Sequence, residues 1–264
     1  MSDNGEGKHG VQSIEIGMHV LRAVASGDRP MMLKEIAAVA GMPASKAHRY
    51  LVSLIRSGMV EQLPSTSRYE LGPAALTIGL AAIDRLDRIQ LGLNAIAELR
   101  DEINETTALA VWSENGPVII RGESPRRPIT VNLMTGTALD MLTSASGRIF
   151  GAYLPPETYR SLVERELAEG RAPGGIESWE KALEMFGEIR KAGIASVSGY
   201  HLVPGVEAVG APVFNFKNEI TLAMLAVGIH GMFDMDPDGP IVAALRRSAA
   251  RLSARLGYSQ GAEA

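Results

Sequence analysis

The run "LKEIAAVAGMPASKAHRYLVSLIRSG", residues 33–58, constrains the fold most, because it carries two helical periodicities with almost nothing between them. Leu33, Ile36, Ala37 and Ala40 fall at i, i+3, i+4 and i+7, one apolar helical stripe. Gly41 follows where a left-handed C-cap belongs. Pro43 suits the first position of the next helix, where its missing N–H has no partner to lose. At about 100° per residue, Ala47, Leu51, Leu54 and Ile55 gather into a buried stripe, and Ser45, Lys46, Arg49, Ser53 and Arg56 occupy the opposite arc. His48 lies at the edge between the arcs, about 100° from Arg49.

The flanking sequence extends this pattern. Val11, Ile14, Met18, Leu21 and Val24 place one apolar stripe on an earlier helix, ended by a loop with Gly27 and Pro30. After residue 58, "MVEQL" and "RYELG" bracket "PSTS" as a short β-hairpin with Arg68 near its tip. From Pro73 to about Gln90, Leu76, Leu80, Ile83, Leu86 and Ile89 recur at steps of three or four, which predicts a linker helix able to pair. A boundary falls near residue 90.

Beyond it the texture changes to α+β. "LNAIAELRDEINET" continues as an amphipathic helix. "TALAVWSENGPVIIRGES" reads as two strands around a turn, and "RPITVNLMTG" as a third. Helices are predicted over 144–153, 156–168 and 178–192, the last capped by Gly193. Strands return in "IASVSGYH", "VEAVGAPVFNF" and "EITLAMLAVGI", and a final helix runs from Ile241 to Leu256. The segments are therefore an arm (1–10), a helical unit with a hairpin (11–72), a linker helix (73–90), an α+β domain (91–258) and a tail (259–264).

Charge is distributed unevenly. Between Lys8 and Val60, seven Lys or Arg (8, 22, 29, 34, 46, 49, 56) stand against three acids (15, 28, 35), in a chain whose formal net charge is -4. One end is basic and the remainder acidic. With 46% hydrophobic against 21% charged residues, the chain can bury a sizeable core. It has no cysteine, which excludes disulfides, thiolate metal sites and cysteine nucleophiles. The N-terminus lacks a secretory pattern, and the longest apolar runs, 74–83 and 220–229, are about half of a membrane span. A cytoplasmic protein is expected, with no membrane partner and no cofactor.

Two helices joined by a tight glycine turn, a polar and basic face on the second, and a following two-stranded wing make a winged helix-turn-helix. Its second helix fits the DNA major groove. Lys34, Ser45, Lys46, His48, Arg49 and Arg56 are the candidate DNA contacts there, and Arg68 on the wing reaches the adjacent backbone or minor groove. A solvated helix face is the plain alternative for any one such helix, and the ordered set of elements favours DNA. His201 and His230 are read as satisfied or surface histidines, since there is no Cys and no tight His/Asp spacing. Trp112 is read as core, "GPAALTIG" lacks the context of a phosphate loop, and no Ser/His/Asp arrangement supports a triad.

The run "LKEIAAVAGMPASKAHRYLVSLIRSGMVEQLPSTSRYELGPAALTIG" resembles the N-terminal domain of the IclR family of bacterial transcriptional regulators. The resemblance continues through "GTALDMLTSASGRIFGAYLPPE", "EIRKAGIASVSGYHLVPGVEAVGAPVF" and the closing helix, over about residues 10–258. It implies a winged helix-turn-helix, a linker helix and a GAF-like effector-binding domain, acting as a dimer or tetramer on a palindromic operator. The chain departs from the family pattern in the second domain. Leu142 stands in a His place and Arg148 in a Lys place; Ser198, Gly199 and Tyr200 replace an acidic run; Gly228 and His230 replace strand serines. The resemblance thus carries over the pocket's location and not its chemistry.

Residues 144–147 begin a helix after a strand, where free N–H groups and the dipole favour a carboxylate. Ser144 and Ser146 are either donors to a ligand or helix caps. The expected lining comprises Val131, Leu139, Leu142, Ser144, Ala145, Ser146, Ser198, Val206, Ala208, Gly228 and His230. It predicts a small organic effector with an apolar body and one polar end, such as an aromatic or alicyclic acid. The leading expectation is a non-enzymatic DNA-binding regulator of a catabolic operon. The alternative is an enzyme or stand-alone sensor whose N-terminal helices serve only assembly.

Overall fold

The computed structural model describes residues 10–84, 86–127, 130–199 and 204–259. Residues 1–9 of the arm and 260–264 of the tail, together with Tyr200 and His201, lie outside them. The chain divides into two compact units, residues 1–86 and 87–264.

In the first unit, α1 (Gln12–Ala25), α2 (Leu33–Val39) and α3 (Ala44–Arg56) precede an antiparallel hairpin of β1 (Val60–Gln62) and β2 (Tyr69–Leu71) and then α4 (Pro73–Asp84). Val20, Val24, Ile36, Leu51, Val60 and Tyr69 form its core. Gly41 adopts φ +59° and ends α2: its N–H bonds to Ala38 O, and the Met42 N–H reaches Ala37 O at 3.0 Å. This paired closure turns the chain within two residues, and a Cβ would be strained at that φ.

Three expectations change here. Pro43 is the N-cap of α3 rather than its first helical residue; its extended ψ of 142° leaves its carbonyl to accept from the Ala47 N–H at 3.0 Å. Along α1, Leu21 and Val24 are buried but Val11, Ile14 and Met18 are 60%, 64% and 42% exposed, because the core contacts only the C-terminal half of that stripe. The helix expected over 73–90 stops at Asp84. Asp87 then caps a new helix, its carboxylate accepting from Ile89 N and Gln90 N, both at 3.0 Å.

In the second unit, α5 (Arg88–Ile103) leads into β3 (Thr106–Ser113) and β4 (Gly116–Glu123). α6 (Ala145–Tyr153), α7 (Pro156–Ala168) and α8 (Trp179–Ala192) follow, then β5 (Ala195–Gly199), β6 (Val206–Phe214), β7 (Ile220–Ile229) and α9 (Pro240–Arg255). The strands form one antiparallel sheet in the order β4-β3-β7-β6-β5. Alternation along β7 sorts the layers. Leu222, Met224 and Ala226 join Ile96, Leu99, Leu245 and Leu252 of α5 and α9, and Ala223, Leu225 and Val227 join Ala145, Ile149 and Phe150 of α6. Both faces of the sheet are covered, which is why β7 reads as an unbroken apolar run.

The third strand expected in "RPITVNLMTG" is not formed among its described residues. Residues 130–139 instead run beside β4, with Ile119 N donating to Thr137 O and Leu139 N to Pro117 O. Gly136 sits at φ +86° within this segment, and pairing with β4 is confined to a single isolated bridge between Val118 and Ala138. Among the described residues no helix is long and apolar enough to cross a membrane.

Candidate nucleic-acid interface and small-molecule cavity

On α3 the amphipathic division is realised in space. Ala47 and Leu51 are fully buried and Leu54 and Ile55 half-buried, while Ser45, Lys46, His48, Arg49, Ser53 and Arg56 are all exposed. His48, ambiguous on the wheel, therefore stands with the exposed set. Lys34 is exposed on α2. The helix begins without an acidic residue in its first turn, so its N-terminal dipole and Lys46 present one sign of potential.

Arg68 is placed differently from these. Its guanidinium donates to Pro30 O at 3.0 Å and lies 3.5 Å from the Glu35 carboxylate, which also pairs with Arg29 at 2.9 Å. Glu35 accepts from the Met32 N–H at 2.6 Å, and this backbone bond, followed by Arg29, holds its carboxyl below the usual range. Arg68 thus braces the hairpin against the start of α2.

The second unit holds a partly open cavity of about 110 Å³ between the N-terminus of α6 and the sheet. Of the predicted lining, Leu139, Ser144, Ala145, Ser146, Ser198, Val206 and Ala208 meet there. Ile119, Leu133, Thr143, Val197, Leu225 and Val227 complete the wall and were not anticipated, since the five apolar ones are in sequence indistinguishable from core positions. No charged side chain is among these described lining residues.

Four predicted residues fall elsewhere. Leu142 is fully buried among Tyr159, Val163 and Phe186, behind the wall rather than on it. Val131 and Gly228 line a much smaller recess of about 10 Å³ beside the Glu105–Arg127 ion pair. Gly228 also has no room for a side chain, because a Cβ would sit 2.3 Å from Phe233. His230 is exposed, with Nδ1 2.8 Å from Glu207 Oε1, a buried carboxylate of β6. Among the described residues no cluster of His, Asp and Glu is arranged for a metal.

The polar end of the cavity is the turn into α6. Ser144 is the N-cap: its Oγ accepts from Gly147 N at 2.9 Å and donates to Asp140 O at 2.6 Å. Its proton is thereby spent on the backbone, so capping is its role. Ser146 is fully buried on the cavity wall, and its Oγ lies 3.3 Å from Ser144 Oγ. Gly147 permits the turn to close, for a Cβ there would lie 2.1 Å from Asp140 O.

A helix-turn-helix with a basic exposed helix, carried on one chain with an α/β unit that holds a ligand-sized cavity, defines a DNA-binding transcription regulator. The comparisons with known proteins assign it further. Residues 13–64 match the IclR helix-turn-helix domain and residues 80–254 the bacterial transcriptional regulator IclR C-terminal domain, so the chain belongs to the IclR family, whose members are regulators and not enzymes. It is 29% identical to the glycerol operon regulatory protein of Streptomyces griseus, over 94% of this chain and 97% of that protein. Its fold matches the crystal structure of Pseudomonas aeruginosa HmgR with a TM-score of 0.83 at 37% identity, covering 95% of this chain and 100% of that one. An IclR homolog from Microbacterium hydrocarbonoxydans, solved in complex with 4-hydroxybenzoate, shares the fold at TM-score 0.56 and 20% identity, over 94% and 100% of the two chains.

Proposed function

We propose that this protein controls a catabolic operon in response to a small organic acid. Residues 11–72 bind DNA, and residues 91–258 bind the effector. Lys34, Ser45, Lys46, His48, Arg49 and Arg56 meet the DNA, with Arg49 and Lys46 central because they project from the exposed arc of α3 near its N-terminal half. The protein works in the cytoplasm as a dimer or tetramer on a palindromic operator.

The observation that carries the effector reading is the make-up of the cavity. Its walls are Ile119, Leu133, Leu139, Val206, Leu225 and Val227, and its polar groups are the hydroxyls of Thr143, Ser146 and Ser198 beside the α6 N-terminus that Ser144 caps. Such a site takes an apolar body and satisfies one anionic or hydroxylic end without a counter-ion. The 4-hydroxybenzoate bound by the Microbacterium homolog is a molecule of this class.

A gel shift on DNA from upstream of the protein's own gene, with and without aromatic monocarboxylates, tests the reading. A salt-dependent shift that one such acid alters is expected. A chain that binds no DNA, or whose cavity prefers sugars or phosphates in calorimetry, contradicts it.

A further inference from the structure

Two charged side chains outside the cavity hold its polar wall from behind. Glu166 of α7 is 3% exposed and accepts from the N–H groups of Met141, at 2.7 Å, and Leu142, at 2.9 Å. Arg148 of α6 donates from Nε to Leu142 O at 2.8 Å and from its terminal nitrogen to Ser196 O, also at 2.8 Å. Leu142 is therefore pinned at its N–H by one charge and at its C=O by the other.

Ser196 belongs to β5, an outermost strand of the sheet, which is laddered only to β6. The next two residues, Val197 and Ser198, line the cavity opposite Thr143–Ser146. The Arg148 fork thus joins the two walls. Among the described residues Arg148 makes no ion pair. The guanidinium is partly buried, which lowers its proton affinity, and its hydrogen bonds go to two backbone carbonyls. A planar guanidinium spans two carbonyls on separate elements, where an ammonium makes a point contact.

We propose that Arg148 is a positioning residue of the cavity, setting the separation between the turn into α6 and the edge strand β5 and thereby the ligands admitted. The proposal rests on the reading of the cavity as an organic-acid site. Arg148 touches no ligand itself and acts through Leu142 and Ser196.

Amide hydrogen exchange by mass spectrometry on the full-length wild type, Arg148→Met and Arg148→Lys tests the strut, with benzoate and 4-hydroxybenzoate titrated into each. Exchange over residues 195–199 should quicken about tenfold in Arg148→Met and less in Arg148→Lys, while peptides of β3 and α9 stay unchanged. Affinity for whichever acid binds the wild type should fall in the same order. Unchanged exchange at 195–199 overturns the proposal, as does a uniform rise across the unit, which marks a merely structural role. Faster exchange with unaltered acid affinity also overturns it. If Arg148→Met does not fold, Arg148→Lys decides by the same criterion. Failure of the wild type to bind either acid removes the organic-acid reading, and the exchange result still decides whether Arg148 spans the walls.

Discussion

Arg68 and Glu35, 33 residues apart in sequence, meet with their charged atoms 3.5 Å apart, tying the hairpin to the first turn of α2. The pair is partly exposed, with side chains 27% and 36% accessible, so solvent screens it and its worth lies mainly in the hydrogen bond from Arg68 to Pro30 O. Arg68→Met should lower the stability of the first unit by about 1 kcal/mol. Thermal denaturation of the wild type and variant checks this; equal midpoints would assign Arg68 to DNA contact alone.

Arg49→Ala should weaken operator binding at least about fivefold, since a base or phosphate contact is worth about 1–3 kcal/mol, and should leave ligand affinity in the cavity unchanged. If Arg49 meets a phosphate, the dependence of log K on log salt flattens by about one contact. Fluorescence anisotropy at several salt concentrations measures both. Loss of ligand binding along with DNA binding would count against the assignment.

Ser146 has no free space on its protein side, being fully buried against the cavity. Ser146→Leu should fill the polar end and blunt the response of DNA binding to the effector, with basal DNA affinity unaltered. An unchanged dose response would remove Ser146 from the site.

Glu166 yields a pH prediction. Burial raises its carboxyl above 4.5, with the bonds from Met141 and Leu142 opposing the shift. The folded state therefore binds this proton more tightly than the unfolded state. The resulting stabilisation is full below 4.5 and is lost as pH rises through the raised value. Glu166→Gln lacks that slope and is less stable by about 1–3 kcal/mol, because its amide NH2 faces one of the two N–H donors. Melting temperatures of the two proteins across pH 4–7 check it; parallel profiles would refute it.

Legibility in the sequence followed the range of the interactions. Local signals placed α2, α3 and the hairpin, because Gly41, the apolar stripe and the Pro/Ser turn each act within a few residues. The cavity was legible where its residues sit on the turn into α6 or on small-residue strands. It was opaque at Ile119, Leu225 and Val227, whose apolar side chains fit a core as well as a pocket. Leu142 was misplaced because one residue along a turn reverses the direction of a side chain. The roles of Arg68, Arg148 and Glu166 each depend on a partner 24 to 48 residues away and leave no periodic trace.

The most direct test is reciprocity between the two units. Titrating labelled upstream DNA with protein, with and without the acid that fills the cavity, gives one coupling factor; titrating the acid into free and DNA-bound protein gives another. A ligand-controlled regulator requires the two factors to be equal and different from one. Tight binding of both partners with a factor of one would contradict effector control.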